Sequence, residues 1–139
     1  MIVDIDIVCT TFNHEAYIER ALLSFLNQKT SYNFRIILCD DSSTDKTSHI
    51  CESYKKKYPE KIIYKRHPAN IGAMNNYLYA FKRCKARYIA YCDGDDYWCD
   101  LEKLEIQASF MDKNPLYSLT YHDDILLFDR DIDYEVYSN

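Results

Sequence analysis

The stretch Tyr88-Ile89-Ala90-Tyr91-Cys92-Asp93-Gly94-Asp95-Asp96-Tyr97-Trp98 joins a strand-like apolar run to three carboxylates and one of the chain's two glycines. Like charges this close together repel one another unless a cation lies among them. Carboxylate oxygens suit a hard divalent cation such as Mg2+ or Mn2+, which usually keeps waters and takes phosphate oxygens at its remaining positions. The alternative is a capped, solvated turn, but such a turn needs one Asp and not three. The stretch therefore predicts a metal site for a diphosphate ligand at the end of a strand.

The same order of apolar run, polar loop and helical pattern occurs four times along the chain. Strands are predicted at Ile2–Cys9, Phe34–Cys39, Ile62–Lys65 and Arg87–Cys92. Helices are predicted at His14–Gln28, Asp45–Tyr58, Met74–Cys84 and Asp100–Asp112, the last with Asp100 as its N-cap. Four successive β-then-α units favour an α/β fold with a doubly wound, mostly parallel sheet flanked by helices.

Length and composition indicate one globular domain. The chain has 139 residues, of which 47% are hydrophobic and 28% charged, and no apolar run approaches the roughly 20 residues that span a bilayer. The acidic, alternating start of the chain, Met1–Asp6, lacks the features of a signal peptide. We therefore expect a soluble, cytoplasmic protein. Its six cysteines form no C-x-x-C pair and are expected to be reduced, with Cys9, Cys39 and Cys92 in the core.

The net charge of −5 is unevenly distributed. Residues 1–92 hold 14 Lys and Arg against 9 Asp and Glu, whereas residues 93–139 hold 3 against 13. The basic part attracts an anion, but the acidic part would repel a polyanion such as a nucleic acid. A small phosphate ligand bridged by a metal fits this distribution better.

Ligands of open α/β sheets bind beyond the carboxyl ends of the strands, so the loops after the strands are the candidate site. After the first strand comes Thr10–Glu15, with hydroxyls, an aromatic ring and a helix N-terminus whose free amides suit an anion. After the second comes Asp40–Asp45, where a carboxylate can accept from a nucleobase N–H or simply cap the helix. After the third come Asn70, Gly72 and Asn76, with the glycine suited to a positive φ.

Together these four loops resemble those of GT-A fold glycosyltransferases of family 2. The resemblance lies in four motifs in the family's order and spacing: Thr-x-Phe-Asn, Asp-Asp-Ser-Ser-Thr-Asp, Asn-Ile-Gly and Asp-Gly-Asp-Asp-Tyr-Trp. Each motif alone is weak, but the four in sequence cover nearly all of residues 2–122 and are specific. The resemblance implies the GT-A fold and a donor site for a nucleoside diphosphate sugar, with UDP-sugars favoured.

The resemblance also implies individual roles. Phe12 matches the aromatic residue that stacks at the nucleobase, Thr10 a neighbouring nucleobase contact, and Asp41 the carboxylate that accepts from a nucleobase N–H. Asp93 and Asp95 match the family's D-x-D pair, the first near the ribose or the metal and the second on a divalent cation, Mn2+ or Mg2+. The remaining predicted donor-site residues are Thr11, Asn13, Glu15, Asn70, Gly72, Asn76 and Gly94.

Three features depart from the family pattern. Phe12 stands where Tyr is more usual, which keeps the stacking face and loses a hydroxyl. Thr10 stands where many members have Pro, and Met74–Tyr77 stands where an arginine often precedes an asparagine. A positive contact to the diphosphate is therefore missing or comes from elsewhere, which makes the metal more important. Trp98, at the end of the acidic loop, either shapes the sugar pocket or anchors the loop in the core.

The resemblance implies an inverting hexosyltransferase that transfers a sugar to an acceptor hydroxyl in polysaccharide or glycoconjugate assembly. The acceptor is expected to be a carbohydrate or a lipid-linked sugar, which allows peripheral association with the cytoplasmic face of a membrane. In the family the catalytic base lies in the acceptor-binding half, past the last residue, Asn139. We expect residues 1–122 to form the nucleotide-sugar-binding domain, truncated before that half, and leave the catalytic base unassigned.

The end of the chain has a different pattern. Leu116–Tyr121 and Asp124–Phe128 read as two further strands, and Asp129–Asn139 is acidic without a clear pattern. Residues 123–139 are either the start of an acceptor-side segment or a disordered acidic tail. The alternative function is a binding module that holds a nucleotide sugar without catalysis. The absence of glycine-rich motifs argues against a dinucleotide oxidoreductase and a P-loop protein. A phosphoryl-transfer or receiver-type α/β protein is disfavoured, because those proteins have their acidic residues after the first strand, where this chain has Thr10-Thr11-Phe12.

Overall fold

The computed structural model describes residues 2–127, in which four strands alternate with four helices. The elements are β1 (Ile5–Thr11), α1 (Ile18–Leu26), β2 (Phe34–Asp40), α2 (Thr47–Lys57), β3 (Ile62–Arg66), α3 (Ala73–Phe81), β4 (Tyr88–Tyr91) and α4 (Lys103–Lys113). All three strand pairings are parallel, and the strand order is β3-β2-β1-β4. The predicted α/β fold with a parallel sheet is confirmed.

The sheet is buried on both faces because its side chains alternate between two apolar clusters. Ile5, Ile7 and Cys9 of β1 belong to the larger cluster, whereas Val8 belongs to the smaller one. Helices α1, α2 and α4 cover the larger cluster, with Phe25 fully buried in it, and α3 covers the smaller one. Near-continuous burial along β1 and β2 is what a central parallel strand requires.

All six cysteines lie within the described residues, and all are free thiols. Cys9, Cys39 and Cys92 are buried in the core, as predicted. Burial raises the pKa of the Cys39 thiol to about 12 and that of Cys92 to about 12, so both remain protonated and act as small apolar residues.

Two predictions at the carboxyl end of the chain are wrong. The fourth helix begins at Lys103, and Asp100 is not its N-cap. Instead, the Oδ1 atom of Asp100 accepts a hydrogen bond of 2.8 Å from the amide of Glu102, in a turn before the helix. A short local bond of this kind competes with helix capping and delays the start of the helix.

The predicted strand at Leu116–Tyr121 is wrong, and so is the part of the second strand that covers residues 124–127. These residues pair with no strand within the described part of the chain, and their apolar side chains lie in solvent: Leu116 is 99% exposed and Tyr121 88%. An alternating sequence forms a strand only where a neighbour accepts its hydrogen bonds. Phe128 and the predicted acidic tail, 129–139, lie outside the described residues.

No helix in residues 2–127 combines the length and the apolar character needed to cross a bilayer.

Candidate functional site

The parallel sheet brings the loops after all four strands to one edge, and hydrogen bonds join them there. The hydroxyl of Thr10, at the end of β1, donates to the Oδ1 atom of Asp93 over 2.6 Å. The amide of Gly94 donates to the carbonyl of Thr10 over 2.8 Å, and the amide of Asp41 donates to the carbonyl of Thr11 over 2.9 Å. The acidic loop, which we define as residues 93–98, is therefore attached directly to the end of β1.

The loop after β1 and the loop after β2 hold each other by reciprocal hydrogen bonds. Each loop supplies side-chain acceptors for backbone amides of the other: Thr44 N–H to Asn13 Oδ1 (2.8 Å), Asn13 N–H to Ser43 Oγ (3.0 Å), Lys46 N–H to Glu15 Oε2 (2.8 Å) and Glu15 N–H to Asp45 Oδ2 (3.0 Å). Asn13 has a φ of 55°, a conformation that Asn tolerates better than most residues. The side chains of Asn13 and Glu15 thus shape the site by joining two loops.

The amides at the start of the first helical segment are not free for an anion, contrary to the sequence-based expectation. Helix α1 begins at Ile18, and the amides of Asn13, His14 and Glu15 donate to side chains of the segment 43–47. An anion at this position would have to displace three side-chain acceptors. These amides therefore do not form a ready anion site.

Asp40 is a fully buried carboxylate with hydrogen-bond donors from several elements. Its Oδ1 atom accepts from the amide of Ser43 over 2.8 Å and from the Ser43 hydroxyl over 2.6 Å. Its Oδ2 atom accepts from Tyr64 over 3.0 Å and from the Ser48 hydroxyl, with the Arg66 guanidinium at 3.8 Å. Asp40 therefore ties the loop after β2 to Tyr64 of β3 and to the Ser48 side chain of α2, but it does not cap α2, whose N-cap Lys46 has no side-chain capping bond. The carboxylate at the start of that helix is Asp45, whose Oδ1 atom accepts from the amide of Thr47 over 2.9 Å.

Asp41 joins the loop after β2 to the loop after β3. Its two oxygens accept from the amides of Ile71 (2.7 Å) and Gly72 (2.9 Å), and the residue is 2% exposed. Asn70 also accepts from the Gly72 amide, over 3.0 Å. Gly72 has a φ of 87° and a ψ of 148°, a conformation that glycine adopts far more readily than other residues, which explains its place in the motif.

Asn76 is buried behind these loops rather than at the surface of the site. Its amide nitrogen donates to the carbonyl of Cys39 over 3.0 Å, and its Oδ1 atom lies 3.1 Å from Nε2 of His67. His67 packs edge-on against Tyr79, with ring centroids 4.6 Å apart. Asn76 therefore fixes the end of β2, on which Asp40 and Asp41 depend.

Asp93 is held from both sides. One oxygen accepts from Thr10, and the other accepts from the hydroxyl of Tyr91. Burial and the bond to Asp93 raise the pKa of the Tyr91 hydroxyl, so this group stays protonated and remains a donor. Sequence analysis did not identify Tyr91, although its place two residues before Asp93 puts both side chains on one side of an extended chain.

Gly94 allows the acidic loop to approach β1 closely. A Cβ atom at this position would lie 2.8 Å from both Cβ and Oγ1 of Thr11 and 3.0 Å from Cδ1 of Ile18. Real Cβ atoms essentially never show contacts under 3.0 Å. Thr11 and Gly94, both predicted as donor-site residues, thus form a packing contact that sets the distance between the acidic loop and the strand.

The remaining carboxylates of the acidic loop face solvent. The Asp95 side chain is 50% exposed, and its Oδ2 atom lies 3.6 Å from Nε2 of His14. Partial burial and the neighbouring charges of Asp95 and Asp93 raise the pKa of Asp96. No group of three or more His, Cys, Asp or Glu side chains in residues 2–127 converges on a common cation position. The protein therefore offers a small set of acidic oxygens, and a cation here would depend on ligand oxygens as well.

The far end of the acidic loop is anchored to α1 and the core. Trp98 is 6% exposed and packs on Phe25 with ring centroids 4.7 Å apart, and its backbone amide donates to the hydroxyl of Ser24 over 3.1 Å. The guanidinium of Arg20 lies 3.5 Å above the ring of Tyr97. Of the two interpretations of Trp98, core anchoring is the one that matches its burial.

Phe12 lies at the same edge with its ring partly in solvent. It is 41% exposed, in contrast to the buried Thr10 and Thr11 that precede it. An exposed aromatic face beside acidic and hydroxyl groups can stack on a planar ligand. Several predicted site residues are exposed: Phe12, Asn13, Glu15, Asn70, Gly72 and Asp95. Of these, Phe12 and Asp95 have side chains that do not hold another loop by a hydrogen bond within residues 2–127, whereas Asn13 and Glu15, like the buried Asp41, join neighbouring loops.

Comparisons with known proteins agree on one family. The family model described as "Glycosyl transferase family 2" matches residues 6–125. An uncharacterized protein of Mycobacterium bovis is 35% identical over 116 residues, which cover 84% of this chain and 34% of the relative. The Escherichia coli protein WfaP, a UDP-Glc:alpha-D-GlcNAc-diphosphoundecaprenol beta-1,3-glucosyltransferase, is 35% identical over 113 residues, or 81% of this chain and 43% of WfaP.

Solved structures of glycosyltransferases also resemble this chain. The crystal structure of S. aureus TarS 1–349 in complex with UDP-GlcNAc superimposes with a TM-score of 0.70 and 28% sequence identity, covering 81% of this chain and 32% of TarS 1–349. The chain thus spans about a third of the length of the first relatives that it matches.

Proposed function

The chain belongs to glycosyltransferase family 2 and has the GT-A fold, and we propose that it holds the sugar donor of an enzyme that transfers a sugar from a nucleoside diphosphate to an acceptor hydroxyl. The observation that carries this proposal is the acidic loop. Asp93 is held against β1 by Thr10, while Asp95 and Asp96 remain exposed at the edge where four strand-end loops meet. Ligands of open α/β sheets bind at that edge.

The nucleoside end of the donor is proposed to lie at Phe12. The exposed ring can stack on the nucleobase, and Thr10 lies beside it at the end of β1. Asp41 already accepts two amides, but a carboxylate has about four acceptor positions, so a nucleobase N–H can be a third partner. A UDP-sugar is the favoured donor, supported by the UDP-GlcNAc bound to TarS and the UDP-Glc in the name of WfaP.

The residues of the acidic loop fit a divalent cation. Asp95 and Asp93 are the proposed protein ligands, because acidic oxygens at an exposed edge suit Mg2+ or Mn2+. When bound, such a cation stabilises the charge that develops on the departing diphosphate. The chain's own contribution is to hold Asp93 between Thr10 and Tyr91, so that the position of the cation relative to β1 is fixed.

The choice of acceptor and the stereochemical outcome are proposed to depend on the acceptor-binding half of the enzyme. We infer single displacement with inversion, in which a carboxylate deprotonates the acceptor hydroxyl, and we place that catalytic base in the acceptor-binding half. A lipid-linked sugar acceptor in glycan assembly is supported by the diphosphoundecaprenol in the name of WfaP. Such an acceptor would place the protein at the cytoplasmic face of a membrane. The proposed division is donor binding by residues 1–122 and acceptor-side structure from residue 123.

Calorimetric titration of the chain with UDP, GDP and dTDP, each with and without Mn2+, tests the donor site. We expect UDP to bind most tightly and Mn2+ to strengthen binding by tenfold or more, about 1.4 kcal/mol. Asp95→Ala should abolish the effect of Mn2+ and leave the metal-free affinity unchanged. The control is Glu60→Ala, which removes an exposed carboxylate between α2 and β3, at the opposite edge of the sheet.

Two results would contradict the proposal. If none of the three nucleotides binds in the presence of Mn2+, the chain is not a donor site. If Asp95→Ala binds UDP with the same Mn2+ dependence as the parent, the metal assignment is wrong. Sugar transfer by a longer chain that includes the acceptor side separates an enzyme from the alternative, a non-catalytic binding module, which would bind the donor and transfer nothing.

A further inference from the structure

His14 has a rigid backbone position at the edge of the candidate site. Its amide donates to the hydroxyl of Thr47 over 2.8 Å, which attaches it to α2. Its carbonyl accepts from the amides of Tyr17 (3.0 Å) and Ile18 (2.9 Å), which attaches it to the start of α1. Bonds on both sides of the residue fix the direction in which its side chain leaves the backbone.

The imidazole of His14 points toward the acidic loop. Its Nε2 atom lies 3.6 Å from Oδ2 of Asp95, and the side chain is only 22% exposed. The Nδ1 atom is buried and has no hydrogen-bond partner within residues 2–127. Because a neutral imidazole has one donor and one acceptor nitrogen, we assign the proton to Nε2, where an acceptor lies nearby.

A second polar atom, at the end of β1, is also unpaired beside the acidic loop. The Oγ1 atom of Thr11 is buried and without a hydrogen-bond partner in the described part of the chain, and Thr11 is 2% exposed. It lies at the contact with Gly94, one residue before Asp95. Buried polar atoms normally have partners, so the unpaired Oγ1 atom of Thr11 leaves a hydroxyl donor at the contact with Gly94, beside Asp95.

We propose that His14 is a positioning residue for the cation site: its Nε2–H holds Oδ2 of Asp95, so that Oδ1 of Asp95 is directed at the cation. This inference rests on the donor site proposed above. The present separation of 3.6 Å exceeds a hydrogen bond, but a movement of under about 1 Å by Asp95 brings the atoms within range. Asp95 can make that movement because its side chain is half exposed.

The physical effect is a reduction in the freedom of Asp95. A carboxylate with no partner samples several rotamers, and ordering it costs part of the free energy of cation binding. Hydrogen-bond partners that orient a metal ligand are typically worth 10- to 100-fold in metal affinity. His14 would supply this orientation from the loop between β1 and α1, which carries neither of the two proposed ligands, Asp93 and Asp95.

Electron paramagnetic resonance of Mn2+, titrated into the chain alone and with UDP, tests the role of His14. We expect His14→Ala to weaken Mn2+ binding by about tenfold or more. His14→Gln should restore it to within about threefold, since its amide N–H can take the place of Nε2–H. His14→Phe keeps a ring in the same space without a donor and should bind Mn2+ as weakly as His14→Ala. His49→Ala, which changes an exposed histidine of α2, is the control.

Calorimetry of UDP without metal separates this inference from the proposed function. We expect the metal-free affinity for UDP to be the same in all four variants. The inference is overturned if His14→Ala binds Mn2+ like the parent, if His14→Gln is as weak as His14→Phe, or if metal-free UDP binding falls in step with Mn2+ binding. If the parent itself binds neither Mn2+ nor UDP, it is the donor site that is contradicted.

Discussion

The chain contains two Asp-Asp pairs at the same edge of the sheet, and their environments are opposite. Asp40 and Asp41, after β2, are 0% and 2% exposed, and all four of their oxygens accept hydrogen bonds from the protein. Asp95 and Asp96, in the acidic loop after β4, are exposed. The Nε2 atom of His14 lies 3.6 Å from Oδ2 of Asp95. The first pair builds the site, and the second is free to bind.

This difference shows that the hydrogen-bond donors around an acidic pair, rather than its charge, decide whether the pair has a structural role or remains available to a ligand. A buried carboxylate is stable only when hydrogen bonds and positive charge replace its lost hydration. The segment 43–48, with its amide and hydroxyls, satisfies Asp40 locally, and two amides of the next loop satisfy Asp41. The acidic loop provides Asp95 with no such donors, so a cation from solution can take that role.

The largest expected loss of stability comes from substituting Asp40, the first residue of the buried pair. Asp40→Ala would leave buried donors such as the Ser43 amide without an acceptor, and we expect the free energy of unfolding to fall by about 3 to 5 kcal/mol. Urea unfolding followed by circular dichroism measures it. Asp95→Ala is the matched variant from the exposed pair and should change stability by less than about 0.5 kcal/mol. Equal losses in the two variants would contradict the comparison.

A smaller effect is expected at Gly94, where the exposed pair depends on a close packing contact. Gly94→Ala places a methyl group 2.8 Å from Cβ of Thr11, and such overpacking costs about 1 to 3 kcal/mol. The displaced loop should also lose most of the Mn2+ dependence of UDP binding. In a Thr11→Gly background the same substitution should cost less, because the clashing atoms are gone. A purely additive double mutant would show that the contact is not the cause.

The smallest effect is a pH dependence from a third buried carboxylate, Asp6. Burial raises the pKa of Asp6, but hydrogen bonds from Arg35 and from the amides of Ala86 and Lys85 outweigh it, so the pKa is lowered overall. The unfolded chain therefore binds a proton at higher pH than the folded one. This contribution to stability is complete above the ordinary pKa of Asp and is lost as the pH falls through the folded-state value.

Asp6→Asn should remove this part of the pH dependence. Urea midpoints between about pH 6 and pH 2 would show a shallower decline for the variant than for the parent. A decline of the same steepness in both proteins would assign the acid sensitivity to other carboxylates. The view that buried, hydrogen-bonded carboxylates such as Asp40 stabilise this fold would then not extend to Asp6.

The sequence was sufficient to predict the order of the elements and the parallel sheet, since the strands β1 and β2 are mostly apolar and each is followed by a polar loop and a helical pattern. It was insufficient beyond α4. The alternation in Leu116–Tyr121 predicted a strand, but no neighbouring strand pairs with it in the described residues. Strand formation depends on a partner, and local pattern carries no information about one. The start of α4 was also predicted too early. The hydrogen bond from the Glu102 amide to Asp100 forms a turn before the helix, and an Asp at this position is equally compatible with a helix N-cap.

For the candidate site, the sequence predicted which loops meet but not how the side chains are used. The roles of Asn13 and Glu15 in joining two loops depend on contacts between residues about 30 positions apart, such as Thr44 with Asn13 and Lys46 with Glu15. Tyr91 and His14 were missed for the same reason. Their partners, Asp93 and Asp95, were identified as ligands, and the groups that hold a ligand have no motif of their own.

The strand order has a consequence for how the chain folds. β1, β2 and β3 are neighbours in both sequence and space, whereas β4 pairs with β1 across the whole of the intervening chain, Ile5 lying opposite Tyr88. Closing that long loop costs the most chain entropy, so we expect β4 to join the sheet late. The bond from Thr10 to Asp93 forms only at that step. For the donor site proposed above, metal-dependent binding would then report completed folding. A chain arrested with three strands paired would have Phe12 and Asp41 in place, but Asp93 would not yet be held against β1.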